Sequence, residues 1–241
     1  MPGIGVLNEK PLHASLKDWY SQPGDQIEVP VEGFVVDIVR DDQLLEIQTA
    51  NFAAMKSKLR ALLPEHKLRI IYPIATEKWI VKSPRKKSER VSRRKSPKKG
   101  QLADVFSELV SIPQHLSHEN FSLDVLLIRE EEQRRHQRNR SWRRRGWVVE
   151  ERRLVEVVER VSFDALSDWC RFIPSEFDTF TARELSDATG ISLMLAQRLV
   201  YCLKKSGVLT HIGKRGRAYL YQMASDHSPS SSKRAPVARA G

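Results

Sequence analysis

Two carboxylates stand where buried strands should be apolar. Asp37 interrupts residues 33–40 (GFVVDIVR), and Glu46 interrupts residues 44–49 (LLEIQT). The intervening Asp41-Asp42 is a turn signal, so the two segments are expected to pair as a hairpin with Asp37 and Glu46 side by side. A period of two puts Glu46 and Gln48 on one face of their strand and Ile47 on the other. Adjacent carboxylates in a sheet repel one another and lose hydration, so they need a partner. A divalent cation suits them. Magnesium, with manganese as the alternative, is hard, oxygen-liganded and keeps part of its water for phosphate chemistry.

The flanking residues supply the elements that would position this pair. Leu12, Leu16, Trp19 and Tyr20 recur at helical spacing before Gly24, which predicts a short amphipathic helix over 9–21. Ile27, Val29 and Val31 alternate with polar residues as in a half-buried strand. Asn51 reads as the N-cap of a helix whose Phe52, Met55, Leu59 and Leu62 share one face, closed by Pro64 and His66. Residues 68–74 form a buried strand that 78–82 continues or pairs with. The order is helix, three strands, helix, strand, an α/β class with a mixed central sheet.

This arrangement resembles the restriction-endonuclease-like nuclease superfamily over roughly residues 8–82. The family's signature is an aspartate at a strand end, then an acidic residue and usually a lysine two apart on the next strand, in an α-β-β-β-α-β core. Asp37 and then Glu46-Ile47-Gln48 match it, with Gln48 at the usual lysine position. The resemblance implies a three-layer sandwich in which Asp37 and Glu46 hold magnesium, joined by a glutamate of the first helix, for which Glu9 stands at about the right place. Gln48 would position the attacking water. In some members the lysine has moved to the following helix, and of Lys56 and Lys58 here, Lys56 is expected to be better placed. Both lysines otherwise read as a solvated helix face, and His13 as a surface or packing residue. The implied activity is metal-dependent hydrolysis of phosphodiester bonds.

Charge points the same way. The chain has 241 residues with 41 Lys and Arg against 30 Asp and Glu, a formal net charge of +11, which suits a polyanionic partner. Residues 83–99 hold nine Lys and Arg against Glu89 alone, so 83–100 is expected to be a flexible basic linker. Residues 101–165 read as an extension: a helix over 101–112, strands over 121–128 and 146–161, and a hairpin tip between them. That tip carries seven arginines over 134–145, Arg143, Arg144 and Arg145 among them, beside Trp142 and Trp147. It could track a phosphate backbone or simply solubilise a loop. His115, His118 and Glu119 lack the spacing of a zinc site. Residues 225–241 read as a disordered tail.

Residues 166–224 carry a second resemblance. A first helix is expected over 163–172. Thr181 and Glu184 make a capping box that opens a second helix, Gly190 gives the tight turn, and Ser192 caps a third helix that Gly207 ends. Two strands then flank the basic tip 213–217. This is similar to the winged helix-turn-helix family. It implies that Ser192, Met194, Gln197, Arg198 and Lys204 of the third helix face a DNA groove, with Lys205, Lys214, Arg215 and Arg217 at phosphates.

The expected partner is double-stranded DNA, with no membrane and with room for a second copy in a homodimer. The expected place is the cytoplasm, on the nucleoid in a bacterium. No apolar run approaches the roughly 18 residues of a membrane span, no secretory leader is evident, and the two cysteines, Cys170 and Cys202, exclude a disulfide scaffold or zinc knuckle. The alternative is a non-catalytic DNA-binding regulator or adaptor with a degenerate nuclease core, as Gln48 would suit. RNA binding through the arginine blocks is a further reading.

Overall fold

A computed structural model describes residues 10–84, 90–137 and 146–224. Over these described residues the fold is α/β with a mixed seven-stranded sheet. Helix α1 (Pro11–Tyr20) leads into β1 (Gln26–Val31), β2 (Phe34–Arg40) and β3 (Gln43–Ile47), an antiparallel meander. The β1–β2 turn is Glu32-Gly33, both at positive φ (48° and 81°), which matches the twist of a two-residue hairpin. Helix α2 (Lys56–Leu62), preceded by a 3₁₀ turn (Phe52–Met55), crosses over to β4 (Lys67–Lys82), which runs parallel to β3.

Alternation along the strands separates two apolar clusters. Leu44, Leu68, Ile70 and Val125 pack with Leu59 and Leu62 of α2, whereas Leu45, Ile71 and Leu126 pack with Leu12 and Leu16 of α1. Residues one apart in a strand point to opposite faces, so α1 and α2 cover opposite sides of the sheet.

Asn51 is not the side-chain cap that its type predicts. It adopts the left-handed conformation (φ 62°), which asparagine tolerates, and makes no capping bond. The carboxylate of Glu108, far along the chain, accepts the Phe52 N–H instead, at 3.0 Å.

The segment expected as a linker contains β5 (Ser92–Lys95), antiparallel to the end of β4. The guanidinium of Arg93 lies 4.0 Å from the ring centre of Trp79, and Lys95 meets Glu77 at 2.7 Å. Charges that read as solvation are therefore met by a ring and an acid on neighbouring strands. Residues 85–89 lie outside the described residues.

The expected extension joins the same sheet. Strand β6 (Phe121–His136) runs parallel to β4 along most of its length, and β7 (Trp147–Phe163) returns antiparallel to it. The strands thus run past the expected end at 128, because Glu130 is buried against Lys78 (2.7 Å) and Arg152 (2.8 Å), and Glu132 against Lys78 (3.1 Å). Buried charges paired this way can extend a sheet where apolar residues run out.

The helix predicted over 101–112 is broken into a 3₁₀ turn (Leu102–Val105) and a single α-turn, α3 (Phe106–Leu109). Asp104 caps its start, and a tight Leu109 carbonyl to Ile112 N–H bond (2.9 Å) closes its end. The helix predicted over 163–172 is likewise a strand end followed by a 3₁₀ helix (Leu166–Phe172). The carboxylate of Asp168 accepts the N–H groups of Asp164 and Ala165, at 2.8 and 2.9 Å, and this turns the chain sharply after β7.

Helices α4 (Ala182–Thr189) and α5 (Leu193–Lys205) and the hairpin β8 (Leu209–Arg215) and β9 (Ala218–Met223) complete the described chain. Leu195, Leu199, Val200 and Leu203 of α5 belong to the same apolar cluster as α2, Phe106 and Leu109. The C-terminal helices therefore share a core with the sheet.

Candidate active site and nucleic-acid interface

Strands β2 and β3 pair as far as Ile38 and Leu45. One step further the same register sets Asp37 opposite Glu46. There the strands are bridged by a side chain: an Asp37 carboxylate oxygen accepts the Ile47 N–H at 2.8 Å. His13 of α1 reaches that oxygen with Nε2 at 3.3 Å. Asp37 keeps some solvent access, whereas Glu46 is 4% exposed.

The neighbour of Glu46 is Lys58. Its ammonium contacts the Glu46 carboxylate and also donates to the Val35 carbonyl at 2.6 Å. Burial, and then the nearby charge of Asp37, push the Glu46 carboxyl up from 4.5 to about 7 against the pull of Lys58. Burial pushes Asp37 upward too, but His13, the Ile47 N–H and Lys58 outweigh it and hold Asp37 below its ordinary value. One site thus holds two neighbouring carboxyl groups with opposite displacements.

The remaining predicted residues separate. Lys56 is exposed and away from the carboxylates, so the lysine of α2 at this site is Lys58. Lys56 and Lys58 stand symmetrically between buried Met55 and Leu59, each one residue from one of them and three from the other, but Lys58 also lies four residues before buried Leu62, on the same face of the helix. Gln48 follows β3, with its N–H on the Ile71 carbonyl (2.9 Å) and its side-chain amide on the Met55 sulfur (3.0 Å), so it is turned toward the α2 side. Glu9 lies outside the described residues, and His13, read as a surface or packing residue, touches the site. Among the described residues, no three His, Cys, Asp or Glu side chains gather as a metal-holding group.

At the C-terminal end, Thr181 and Glu184 cap each other's N–H groups, and Gly190 (φ 72°) ends α4. The Ser192 hydroxyl accepts the Leu195 N–H at 3.3 Å, so it serves the cap of α5. Gln197, Lys204 and Lys205 are exposed on α5, and Arg198 is half-buried. On the hairpin, Lys214 lies 5.3 Å from the ring centre of Tyr219, and Arg217 is exposed. Arg215 is engaged within the chain, with Glu184 at 2.5 Å and Thr179 at 3.1 Å. An open groove of about 490 Å³ between α5 and β9 is lined by Gln197, Tyr201, Lys204, Arg217 and Tyr219, with Arg183 of α4 at its side. Tyr201, Tyr219 and Arg183 escape a search of the sequence for polar contacts, because their placement depends on how the hairpin folds back on α5. Arg143, Arg144 and Arg145 lie outside the described residues. Among those described, no helix is long and apolar enough to cross a membrane.

A family model described as a domain of unknown function, DUF8091, matches residues 10–164. An uncharacterized protein of Treponema pallidum (strain Nichols) is 30% identical over 222 residues, covering 91% of this chain and 87% of its own length. No solved structure matches.

Proposed function

The chain belongs to the DUF8091 family, and for it we propose a metal-dependent endonuclease that hydrolyses phosphodiester bonds in double-stranded DNA. In this reading residues 11–82 form a restriction-endonuclease-like three-layer sandwich, and the C-terminal helices and hairpin form a winged helix that delivers DNA. The observation that carries it is the meeting of Asp37, Glu46 and Lys58 where β2 and β3 part. A helix-borne lysine replaces the one that Gln48 displaces.

The donor set suits a hard divalent cation. Asp37 and Glu46 are adjacent carboxylates, and the second is pushed up to about 7 by burial and by the first. An added positive charge would relieve that repulsion. Asp37 and Glu46 would hold magnesium or manganese, and the bound ion supplies Lewis-acid stabilisation of phosphate charge and a more acidic water. Lys58 neutralises Glu46 at rest and lies within reach of phosphate charge at the same place. His13 holds Asp37 ionised and oriented. Gln48 borders the site from the end of β3.

The test is nicking of supercoiled DNA with magnesium or manganese by the wild type, Asp37→Asn, Glu46→Gln and Lys58→Met. Nicking that needs metal and disappears in all three variants is the expected result. A second reading, a non-catalytic DNA-binding adaptor, draws support from the Lys58–Glu46 pair, which closes the carboxylate within the protein. It predicts DNA binding without cleavage under every metal condition.

A further inference from the structure

The groove between α5 and β9 has a chemistry that uninterrupted duplex does not call for. Two of its exposed positions are aromatic: Tyr219 is 55% exposed and Tyr201 43%. A helix that reads base edges in a groove of duplex DNA needs hydrogen-bonding side chains at such places. Tyrosine rings instead offer flat faces, and in duplex DNA the base faces are stacked on one another. They become available only at an unpaired nucleotide.

Around the rings lie cations. Arg183, Lys204 and Arg217 line the groove, and among the described residues no acidic side chain does. The nearby Glu184 is already engaged by Arg215 and the Thr181 N–H. The Tyr219 ring is flanked by the Lys214 ammonium, 5.3 Å from its centre, and by the His211 ring, nearly perpendicular to it at 5.0 Å, so the ring is held in place while more than half of it stays exposed. The groove's volume, about 490 Å³, is within the range of a small-ligand site and admits a nucleotide.

We propose that this groove binds an unpaired nucleotide of a DNA strand, with the base stacked on Tyr219 and Tyr201 and the adjoining phosphates on Arg183, Lys204 and Arg217. The inference rests on the reading of the C-terminal unit as a DNA-binding module. It gives that module a preference for overhangs and single-strand junctions over blunt duplex.

The test is fluorescence anisotropy with three labelled probes, a blunt 20-base-pair duplex, the same duplex with a four-thymidine overhang at either end, and a thymidine 12-mer. Wild type, Tyr219→Ala, Tyr201→Ala and Tyr219→Phe are compared at fixed salt in EDTA. The expected result is overhang binding about ten-fold tighter than blunt binding, since stacking of one base on an aromatic ring is of that order. In the alanine variants the ratio of overhang to blunt affinity falls to about one, while Tyr219→Phe retains the preference. Circular dichroism checks that the variants fold. Equal binding of blunt and overhang probes by the wild type overturns the inference while leaving the DNA-binding reading in place. So does equal weakening of both probes in the alanine variants. Failure to bind any probe overturns both. Displacement of the overhang probe by polyglutamate as effectively as by the thymidine 12-mer also overturns the inference, because it assigns the groove to acidic peptide.

Discussion

The ammonium of Lys58 on α2 closes on the carboxylate of Glu46 on β3 and at the same time on the Val35 carbonyl of β2. One side chain from the crossover helix thus ties together the two strands that part at Asp37. Removal of that charge is expected to abolish metal-dependent nicking, with a loss of at least about 100-fold, the order seen when one electrostatic stabiliser is removed from an active site. Lys56→Ala should leave nicking unchanged. Initial rates on supercoiled DNA for Lys58→Met and Lys56→Ala check the pair, and equal effects of the two would remove Lys58 from the site.

Glu46 also sets a pH dependence in metal-free buffer. Its carboxyl lies at about 7 in the folded chain against an ordinary 4.5, so the folded state holds more protons between these values. Stability contributed by this group is complete below about 4.5, falls as the pH rises to about 7, and is level above. The displacement corresponds to about 3 kcal/mol at most. Urea denaturation from pH 4.5 to 7.5 with EDTA should show this downward slope in the difference between wild type and Glu46→Gln. A flat difference would place the Glu46 carboxyl at its ordinary value.

Metal binding should appear without any substrate. A cation held only by the folded chain stabilises it by RT ln(1 + c/Kd) at ion concentration c, so the melting temperature rises with ion concentration above Kd. Millimolar magnesium or manganese is expected to raise the midpoint of the wild type and to leave Asp37→Asn and Glu46→Gln unmoved. The readout is differential scanning fluorimetry against a calcium- and EDTA-matched series. An equal rise in all three proteins would assign the ion elsewhere.

Arg215 and Arg217 stand two apart on one hairpin and are expected to behave differently. Arg215 is held by Glu184 and Thr179, whereas Arg217 lines the open groove. Arg217→Ala should weaken duplex binding and lower the salt slope by about one. Arg215→Ala should change the slope much less. Binding isotherms at four salt concentrations separate the two.

On the α1 face, Asp124 of β6 is fully buried and receives the Tyr20 hydroxyl, Arg69 at 2.7 Å and Arg160 at 2.8 Å. Asp124→Ala leaves two guanidinium groups without their shared acceptor, and a loss of about 3 kcal/mol is expected. Chemical denaturation of this variant checks it. A change under about 1 kcal/mol would mean that water replaces the carboxylate freely.

The local features were legible in the chain itself because they depend on near neighbours. Asp37 and Glu46 stand out against apolar strands, a two-residue turn sets them opposite one another, and the Thr181–Glu184 box is complete within four residues. Lys58 was not legible: Lys56 and Lys58 stand symmetrically between Met55 and Leu59, the sequence favoured Lys56, and only the packing of α2 on β2 and β3 brought the Lys58 ammonium to Glu46 and the Val35 carbonyl. The tertiary structure alone decided that β6 and β7 extend the sheet of β1–β4, that Glu108 caps the turn at Phe52, and that Tyr219 faces the groove beside α5. Each of these joins residues tens of positions apart. Hydropathy period tells which face of an element is buried, but which elements lie against that face follows from strand order and crossover. These are properties of the whole packed chain.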